Sequence, residues 1–219
     1  MPAKRTGLPA PHRGPLIVGA IAICIFLAIL AAVSAGLTQG LDAAILLALR
    51  DPADLSRQLG PGWLQASGRD FTALGSNGVV GALVLVGAGL LALARERRAS
   101  LFLLATLGGA LVLQGLVKHW VGRPRPDVVP HTARVFTSSF PSSHATISAA
   151  ITIAAAILLA RARPERRFAL AAGMAAICLS ALVGVSRLYL GVHWPTDVMA
   201  GWALGTAWSA VCWASLGRR

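Results

Sequence analysis

Charged side chains are scarce in this 219-residue chain, where they make up 13% of the sequence, about half of the 25% that is typical of soluble domains. Acidic residues are the scarcest of them, with 8 aspartates and glutamates against 20 lysines and arginines. Hydrophobic residues reach 56%, and the mean hydropathy is +0.69. This balance excludes an ordinary soluble domain, and the length suits a single domain.

Cysteines are also few, and the three present, Cys24, Cys178 and Cys212, all lie in apolar runs. Their odd number and their position argue against a disulfide framework, and no metal-ligand spacing is present. We therefore expect three small buried apolar residues, and neither a metal nor another cofactor. Low-complexity tracts and clear internal repeats are absent as well.

The apolar residues are grouped in runs without a charged residue, and these runs cover residues 16–37, 71–94, 101–117, 145–160, 168–185 and 198–216. A helix rises about 1.5 Å per residue, so roughly 20 apolar residues cross a hydrocarbon core of about 30 Å. We predict an all-α polytopic membrane protein with six transmembrane helices. Residues 1–15 are predicted to form a cytoplasmic N-terminal tail, and residues 16–216 one membrane domain.

The first run allows a second interpretation. A basic stretch, an apolar run and then Val33-Ser34-Ala35 also fit a secretory signal peptide with its cleavage site. The run is long for a signal peptide, so we favour an uncleaved first span. Cleavage would leave the orientation of the other spans unchanged.

Most basic residues lie in the tails and loops that share one side of the membrane if six helices alternate. Such an excess marks the cytoplasmic face, so both termini are predicted to be cytoplasmic. Topology thus explains the net charge of +12, and no nucleic-acid recognition motif is present. These residues are Lys4, Arg5, Arg13, Arg95, Arg97, Arg98, Arg161, Arg163, Arg166, Arg167, Arg218 and Arg219.

A second group of cations falls on the opposite side, at or between the outer ends of spans 3 to 6. It comprises Lys118, Arg123, Arg125, Arg134 and Arg187, with only Asp127 and Asp197 nearby. A cationic cluster on the translocated side runs against the usual bias and therefore predicts an anionic ligand. The first outer loop, residues 38–70, contains an apolar stretch at helical spacing and an interfacial Trp63, which fit either a connecting surface helix or a lid over a lipid site.

Polar residues mark four predicted helix ends on that outer face, and their arrival from four helices predicts a single site. Arginine offers phosphate a planar fork, and lysine offers a compact charge. A helix N-terminus suits an anion, and a carboxylate bonded to one nitrogen of a histidine makes the other a better nucleophile. The three motifs are Lys118 to Arg125-Pro126, Pro141-Ser142-Ser143-His144, and Ser186-Arg187 to His193 and Asp197.

Each motif also has a structural interpretation when it is taken alone. Lys118 and Arg123 could simply reach toward the interface. Ser142 could serve only as a helix cap. His193 and Asp197, which are four residues apart and so share a helical face, could form a structural pair.

Together, in this order and spacing, the motifs resemble the signatures of the type-2 phosphatidic acid phosphatase superfamily. Those signatures are Lys-x6-Arg-Pro, Pro-Ser-Gly-His and Ser-Arg-x5-His-x3-Asp. The resemblance spans residues 118–197, which we take as the catalytic core. One departure is Ser143, which stands where the family usually has glycine. Serine keeps the backbone N–H, so anion binding is expected to survive.

The resemblance implies a phosphatase that works through a phosphohistidine. The outer face has few carboxylates to hold a metal ion and several fixed cations instead, so we predict that the activity is independent of metal ions. His193 is the implied nucleophile, Asp197 orients it, and His144 is the acid and base. The implied phosphate-binding residues are Lys118, Arg125, Ser142, Ser143 and Arg187. The resemblance favours undecaprenyl diphosphate as substrate, followed by phosphatidylglycerol phosphate and phosphatidate. The distribution of basic residues places the predicted active site on the extracytoplasmic side of the plasma membrane.

Three rival functions differ in what the same residues would do. A phosphotransferase would pass phosphate from the same intermediate to a second lipid. A vanadium haloperoxidase uses similar residues, but those proteins are generally large and soluble. A channel or transporter would place its charges nearer the bilayer midplane than at one face. The sequence supports no prediction of oligomeric state.

Overall fold

A computed structural model describes residues 14–133 and 137–216 of the chain. Residues 1–13, Arg134, Arg218 and Arg219 lie outside the described residues, so the predicted tail is described only at Gly14 and Pro15, which begin the first helix. Helices dominate the described part. They are α1 (Gly14–Ser34), α2 (Gln39–Leu47), α3 (Gly62–Ala73), α4 (Asn77–Leu93), α5 (Arg97–Val121), α6 (Ser143–Ala162), α7 (Arg166–Tyr189) and α8 (Pro195–Leu216).

Four of these helices, α1, α5, α6 and α7, are long and apolar enough to cross a membrane. A fifth span results if α3 and α4, which meet at a bend of 49°, are counted as one. At 22 residues α8 is about 33 Å long, but glycine, serine, threonine and tryptophan together make up 9 of these residues, more than in any other described helix. The membrane character is thus confirmed, whereas six spans remain a prediction.

Helix α8 lies at the centre of the bundle and packs against α1, α5 and α6, while α6 also packs against α7. Two glycines let its backbone approach α6 closely. A Cβ added at Gly201 would lie 2.8 Å from the Ser142 carbonyl oxygen, and one at Gly205 would lie 3.0 Å from the Ala150 nitrogen and would also meet the Thr146 carbonyl. The small residues that lower the hydropathy of α8 are therefore those that hold it against α6.

The second predicted span, residues 71–94, is broken in the structure. Helix α3 ends at Ala73, and α4 starts afresh at Asn77. The Ser76 hydroxyl accepts a hydrogen bond from the Val79 N–H at 3.3 Å, so Ser76 acts as a new N-cap. A run free of charge thus contained a helix boundary that hydrophobicity alone did not reveal.

The first outer loop is more structured than predicted. Helix α2 covers most of the apolar stretch, and it is followed by a short antiparallel hairpin of β1 (Arg50–Asp51) and β2 (Asp54–Gln58), a small exception to the all-α fold, which otherwise holds. Most β2 side chains are exposed and polar, so no apolar alternation signalled a strand. Arg50 Nη1 and Gln58 Nε2 donate to the Tyr189 carbonyl at 2.9 and 3.2 Å, which docks the hairpin on the end of α7.

The cysteines correct a second expectation. Cys212 is buried, but Cys24 and Cys178 are exposed on the surface of the bundle, and all three are free thiols. In a membrane protein the outer surface is itself apolar, because lipid tails surround it. An apolar residue in a span is therefore not necessarily buried by protein.

The close contact of α8 with α6 predicts a mutational asymmetry between two glycines. We expect Gly205→Ala to destabilise the protein by about 1–3 kcal/mol, because its methyl group would meet backbone atoms of α6 that cannot yield. We expect Gly89→Ala, on α4 with open space around its Cβ position, to be neutral or to stabilise by about 0.5–1 kcal/mol. Thermal unfolding in detergent micelles, followed by tryptophan fluorescence, measures both. Equal melting temperatures for Gly205→Ala and wild type would contradict the packing argument.

Candidate active site

His193 and Asp197 meet at the turn between α7 and α8. Gly191 turns the chain with a φ of +72°, and Pro195 begins α8, as a proline favours the first helical turn. His193 therefore precedes the helix rather than sharing its face, yet the pair still forms. The ring Nδ1 lies 3.4 Å from Asp197 Oδ2, with side-chain exposures of 2% and 0%.

Both oxygens of the Asp197 carboxylate accept hydrogen bonds from the protein. Oδ1 accepts from Arg123 Nη1 at 2.7 Å, while Oδ2 accepts from the Trp194 N–H at 2.9 Å and from the Ser139 hydroxyl. These bonds fix the carboxylate in one orientation, so the Nδ1–H of His193 has a stationary acceptor.

His193 is held as a neutral ring. Burial lowers the pKa of His193 to about 3, although the hydrogen bond and charge of Asp197 act in the opposite direction. With the proton on Nδ1 facing Asp197, Nε2 is unprotonated, and its lone pair accepts a hydrogen bond from Arg125 Nη1 at 3.3 Å. A neutral imidazole with an unprotonated Nε2 is the form that a nucleophile requires.

Three cations surround this ring without a carboxylate partner. Lys118 Nζ donates to the Ser138 carbonyl at 2.6 Å, Arg125 donates to the Thr137 and Val192 carbonyls at 2.8 and 2.6 Å, and Arg187 Nη1 donates to the Thr72 hydroxyl at 2.7 Å. Among the residues that the structure describes, none of the three cations forms an ion pair. The structure thus brings Lys118, Arg125 and Arg187 together as predicted.

The start of α6 contributes differently from the prediction. The Ser142 N–H donates to the Asp197 carbonyl at 3.0 Å, so it is not available to an anion. The Ser142 hydroxyl is buried and has no hydrogen-bond partner in the described chain, as is also true of Arg187 Nε. Ser143 turns its hydroxyl to Gln114 Oε1 at 2.7 Å, which leaves its backbone N–H in the first turn of α6.

His144 lies one residue further into α6, at the edge of the same cluster. Its ring lies within electrostatic range of Arg187, Arg125 and Lys118 and of the His193 ring. A Cβ added at Gly75 would lie 3.3 Å from the ring Cδ2 atom, so the break between α3 and α4 packs directly against His144.

Several residues of the site were missed in the sequence. The sequence groups Arg123 with the outer cations that predict an anionic ligand, but the structure binds it to Asp42 and Asp197, at 2.7 Å in each case. Asp42, which is fully buried, is the single charged residue of an apolar stretch, and that isolation was the available signal. No local pattern marked Ser139 or Thr72, because their partners are distant in sequence.

Two cavities border the cluster. A cavity of about 400 Å³ is lined by Lys118, Gln114, Ser143 and Asn77. A larger one of about 780 Å³ is lined by Arg125 and Trp194, among others. Orphaned buried donors, unpaired cations and a helix N-terminus together form a site for a small, multiply charged anion such as a phosphoryl group.

The donor set fits a metal ion poorly. The described residues contain no group of three or more His, Cys, Asp or Glu side chains able to hold one. The buried carboxylates Asp42 and Asp197 both already accept from Arg123, and the charged side chains predicted to bind phosphate, Lys118, Arg125 and Arg187, are cations.

Comparison with known proteins shows the family of this chain. The family model described as PAP2 superfamily matches residues 99–219. The chain is 33% identical to phosphatidylglycerophosphatase B of Bacillus subtilis (strain 168), covering 82% of this chain and 85% of that protein. It is 37% identical to decaprenylphosphoryl-5-phosphoribose phosphatase of Mycobacterium tuberculosis (strain ATCC 25618 / H37Rv), covering 69% and 79%.

One solved structure is similar to this chain over most of its length. It is described as the crystal structure of the first transmembrane PAP2 type phosphatidylglycerolphosphate phosphatase from Bacillus subtilis. It superposes with a TM-score of 0.76 at 28% identity, covering 89% of this chain and 93% of that one. The chain therefore belongs to the PAP2 superfamily, the family that its three motifs predicted, and its relatives include membrane lipid phosphatases.

Proposed function

We propose that the chain releases phosphate from a lipid phosphate or diphosphate through a phosphohistidine formed on His193. The observation that carries this proposal is the set of unpaired cations, Lys118, Arg125 and Arg187, around a buried neutral imidazole. A phosphoryl group offers the charge and the oxygens that these side chains would bind. The apolar helices around the cluster suit a substrate that is anchored in the membrane by its tail.

In the first step, His193 Nε2 attacks phosphorus while Asp197 holds the Nδ1–H. The Nε2–P bond forms, the bond from phosphorus to the leaving oxygen breaks, and His144 donates a proton to that oxygen. In the second step, His144 takes a proton from water as the water oxygen attacks phosphorus. The Nε2–P bond then breaks and inorganic phosphate leaves. The cations position the transferring group and stabilise its charge in both steps.

Two lipids lead the list of substrates. The motif resemblance favours undecaprenyl diphosphate, whereas the Bacillus subtilis relative named for phosphatidylglycerophosphate aligns over most of both chains. The cluster binds phosphate and not the tail, so it suits both. Comparing kcat/KM for the two lipids and phosphatidate decides the substrate. Product analysis with and without an acceptor lipid separates hydrolysis from phosphotransfer.

The nucleophile gives the first prediction. We expect His193→Ala to lower kcat for phosphate release by at least about 1000-fold, because the residue that accepts the phosphoryl group is removed. Wild type quenched during turnover of a ³²P-labelled lipid should carry acid-labile, alkali-stable phosphate, and the variant should carry none. His131→Ala, which changes an exposed histidine in the loop between α5 and α6, is the matched control and should keep wild-type activity. Full activity in His193→Ala would remove the proposed nucleophile.

The donor set gives a second prediction. We expect phosphate release to continue at its initial rate in excess EDTA, because arginine and lysine side chains meet the charge of the phosphoryl group. The measurement compares rates before and after dialysis against chelator, and then after addition of Mg²⁺ or Zn²⁺. Loss of activity that an added metal restores would show that metal independence is wrong.

We further propose that the cluster faces the extracytoplasmic side. Arg97, Arg163 and Arg166 lie at the helix ends opposite the cluster, as expected for cytoplasmic residues. In a variant without native cysteines, we expect Arg57→Cys, on the exposed hairpin, to react with a membrane-impermeant maleimide in intact cells. Arg97→Cys should react only after the membrane is opened. The reverse pattern would contradict this orientation.

A further inference from the structure

We propose that Asp42 and Arg123 are positioning residues that fix Asp197 and, through it, the ring of His193. The inference deepens the proposed function, since it rests on His193 as the nucleophile. Asp42 lies outside the three motifs, Arg123 occupies one of the unspecified positions within the first, and neither residue is expected to touch substrate.

Arg123 lies between two buried carboxylates. Its Nη2 donates to Asp42 Oδ2 at 2.7 Å, and its Nη1 donates to Asp197 Oδ1 at 2.7 Å. The Arg123 side chain is 10% exposed, and both carboxylates are 0% exposed. Because a guanidinium is a rigid plane with donors on two sides, it sets the distance and the angle between the two acids.

Asp42 also holds the start of α8. Its Oδ1 accepts from the Thr196 N–H at 3.0 Å, and its Oδ2 accepts from the Thr196 hydroxyl at 2.7 Å. A carboxylate that accepts a first-turn N–H does what an N-cap does, but here it comes from a different helix, α2. The main chain next to Asp197 and the carboxylate of Asp197 are therefore both fixed from Asp42.

Charge balance explains why the arrangement needs both residues. Without Arg123, Asp42 and Asp197 would be two buried like charges with no cation between them, which is costly. With Arg123 in place, Asp197 remains an anion oriented toward His193 Nδ1. Arg123 forms ion pairs with these two acids. The other three cations, Lys118, Arg125 and Arg187, form none among the described residues and can bind a ligand.

The position of Asp42 in the chain adds to the inference. The family match covers residues 99–219, and Asp42 lies well before it, on α2. The N-terminal part of the chain would thus complete the arrangement of the nucleophile from outside the matched region.

The test starts with Asp42→Asn, which keeps the shape of the side chain but removes its charge. We expect kcat to fall by about 10- to 100-fold, as for other residues that orient a catalytic group, while KM and the inhibition constant of inorganic phosphate change less than about threefold. Asp54→Asn makes the same change at an exposed aspartate of the hairpin and should keep wild-type kcat. Wild-type kcat in Asp42→Asn would overturn the proposal.

Arg123→Lys provides a second route if Asp42→Asn fails to fold. Lysine keeps the charge but cannot bond two carboxylates from one plane, so we expect a similar loss of kcat with phosphate inhibition retained. Unchanged kcat in Arg123→Lys would also overturn the positioning role.

A double-mutant comparison separates positioning from general support of the fold. In an Asp197→Asn background, Asp42→Asn should lower kcat by less than about twofold, because the carboxylate through which Asp42 acts is already gone. An equal loss in both backgrounds would contradict the inference. An active His193→Ala would instead refute the proposed function, so the two failures are distinguishable.

Discussion

Positive charge buried among apolar helices is the constraint on which the rest of the structure depends. Lys118, Arg125 and Arg187 are each held by carbonyl or hydroxyl oxygens, which fix their direction without cancelling their charge. Arg123, only two residues from Arg125, is instead neutralised by two aspartates. The chain thus separates a cation that holds the structure together from cations that remain available to an anion.

The helix arrangement adds to the positive electrostatic potential at the cluster. Helices α6 and α8 both begin at the cluster, at Ser143 and Pro195, so the partially positive ends of two helices point at the same place. The close approach of their backbones, which the glycines of α8 permit, brings the Ser142 N–H onto the Asp197 carbonyl. The packing of α8 against α6 therefore also sets the geometry at the end of the bundle, because a shift of α8 along α6 would move the carboxylate that orients His193.

Much of this site was predictable, because its essential residues lie at helix ends whose order alternates along the chain. The parity of the spans placed Lys118, His144, Arg187 and His193 at one face, and the structure places them in one cluster. The sequence did not reveal features that depend on residues distant along the chain or on breaks within an apolar run. The partner of Arg123 is Asp42, on another helix, and the break before Asn77 lies within an uncharged run where only Gly75 and Ser76 hinted at it. The hairpin was not predicted because most of β2 is polar and exposed. Its strands therefore lack the alternation of apolar and polar residues that indicates a strand.

The bond between Ser143 and Gln114 ties the identity of one motif position to a residue on another helix. With a glycine at position 143, as the family usually has, the amide oxygen on α5 would lose its donor, and an apolar side chain would be tolerated there. Positions 114 and 143 are therefore expected to change together during divergence. In this chain, Ser143 therefore supplies the donor for an amide oxygen that another helix holds in place.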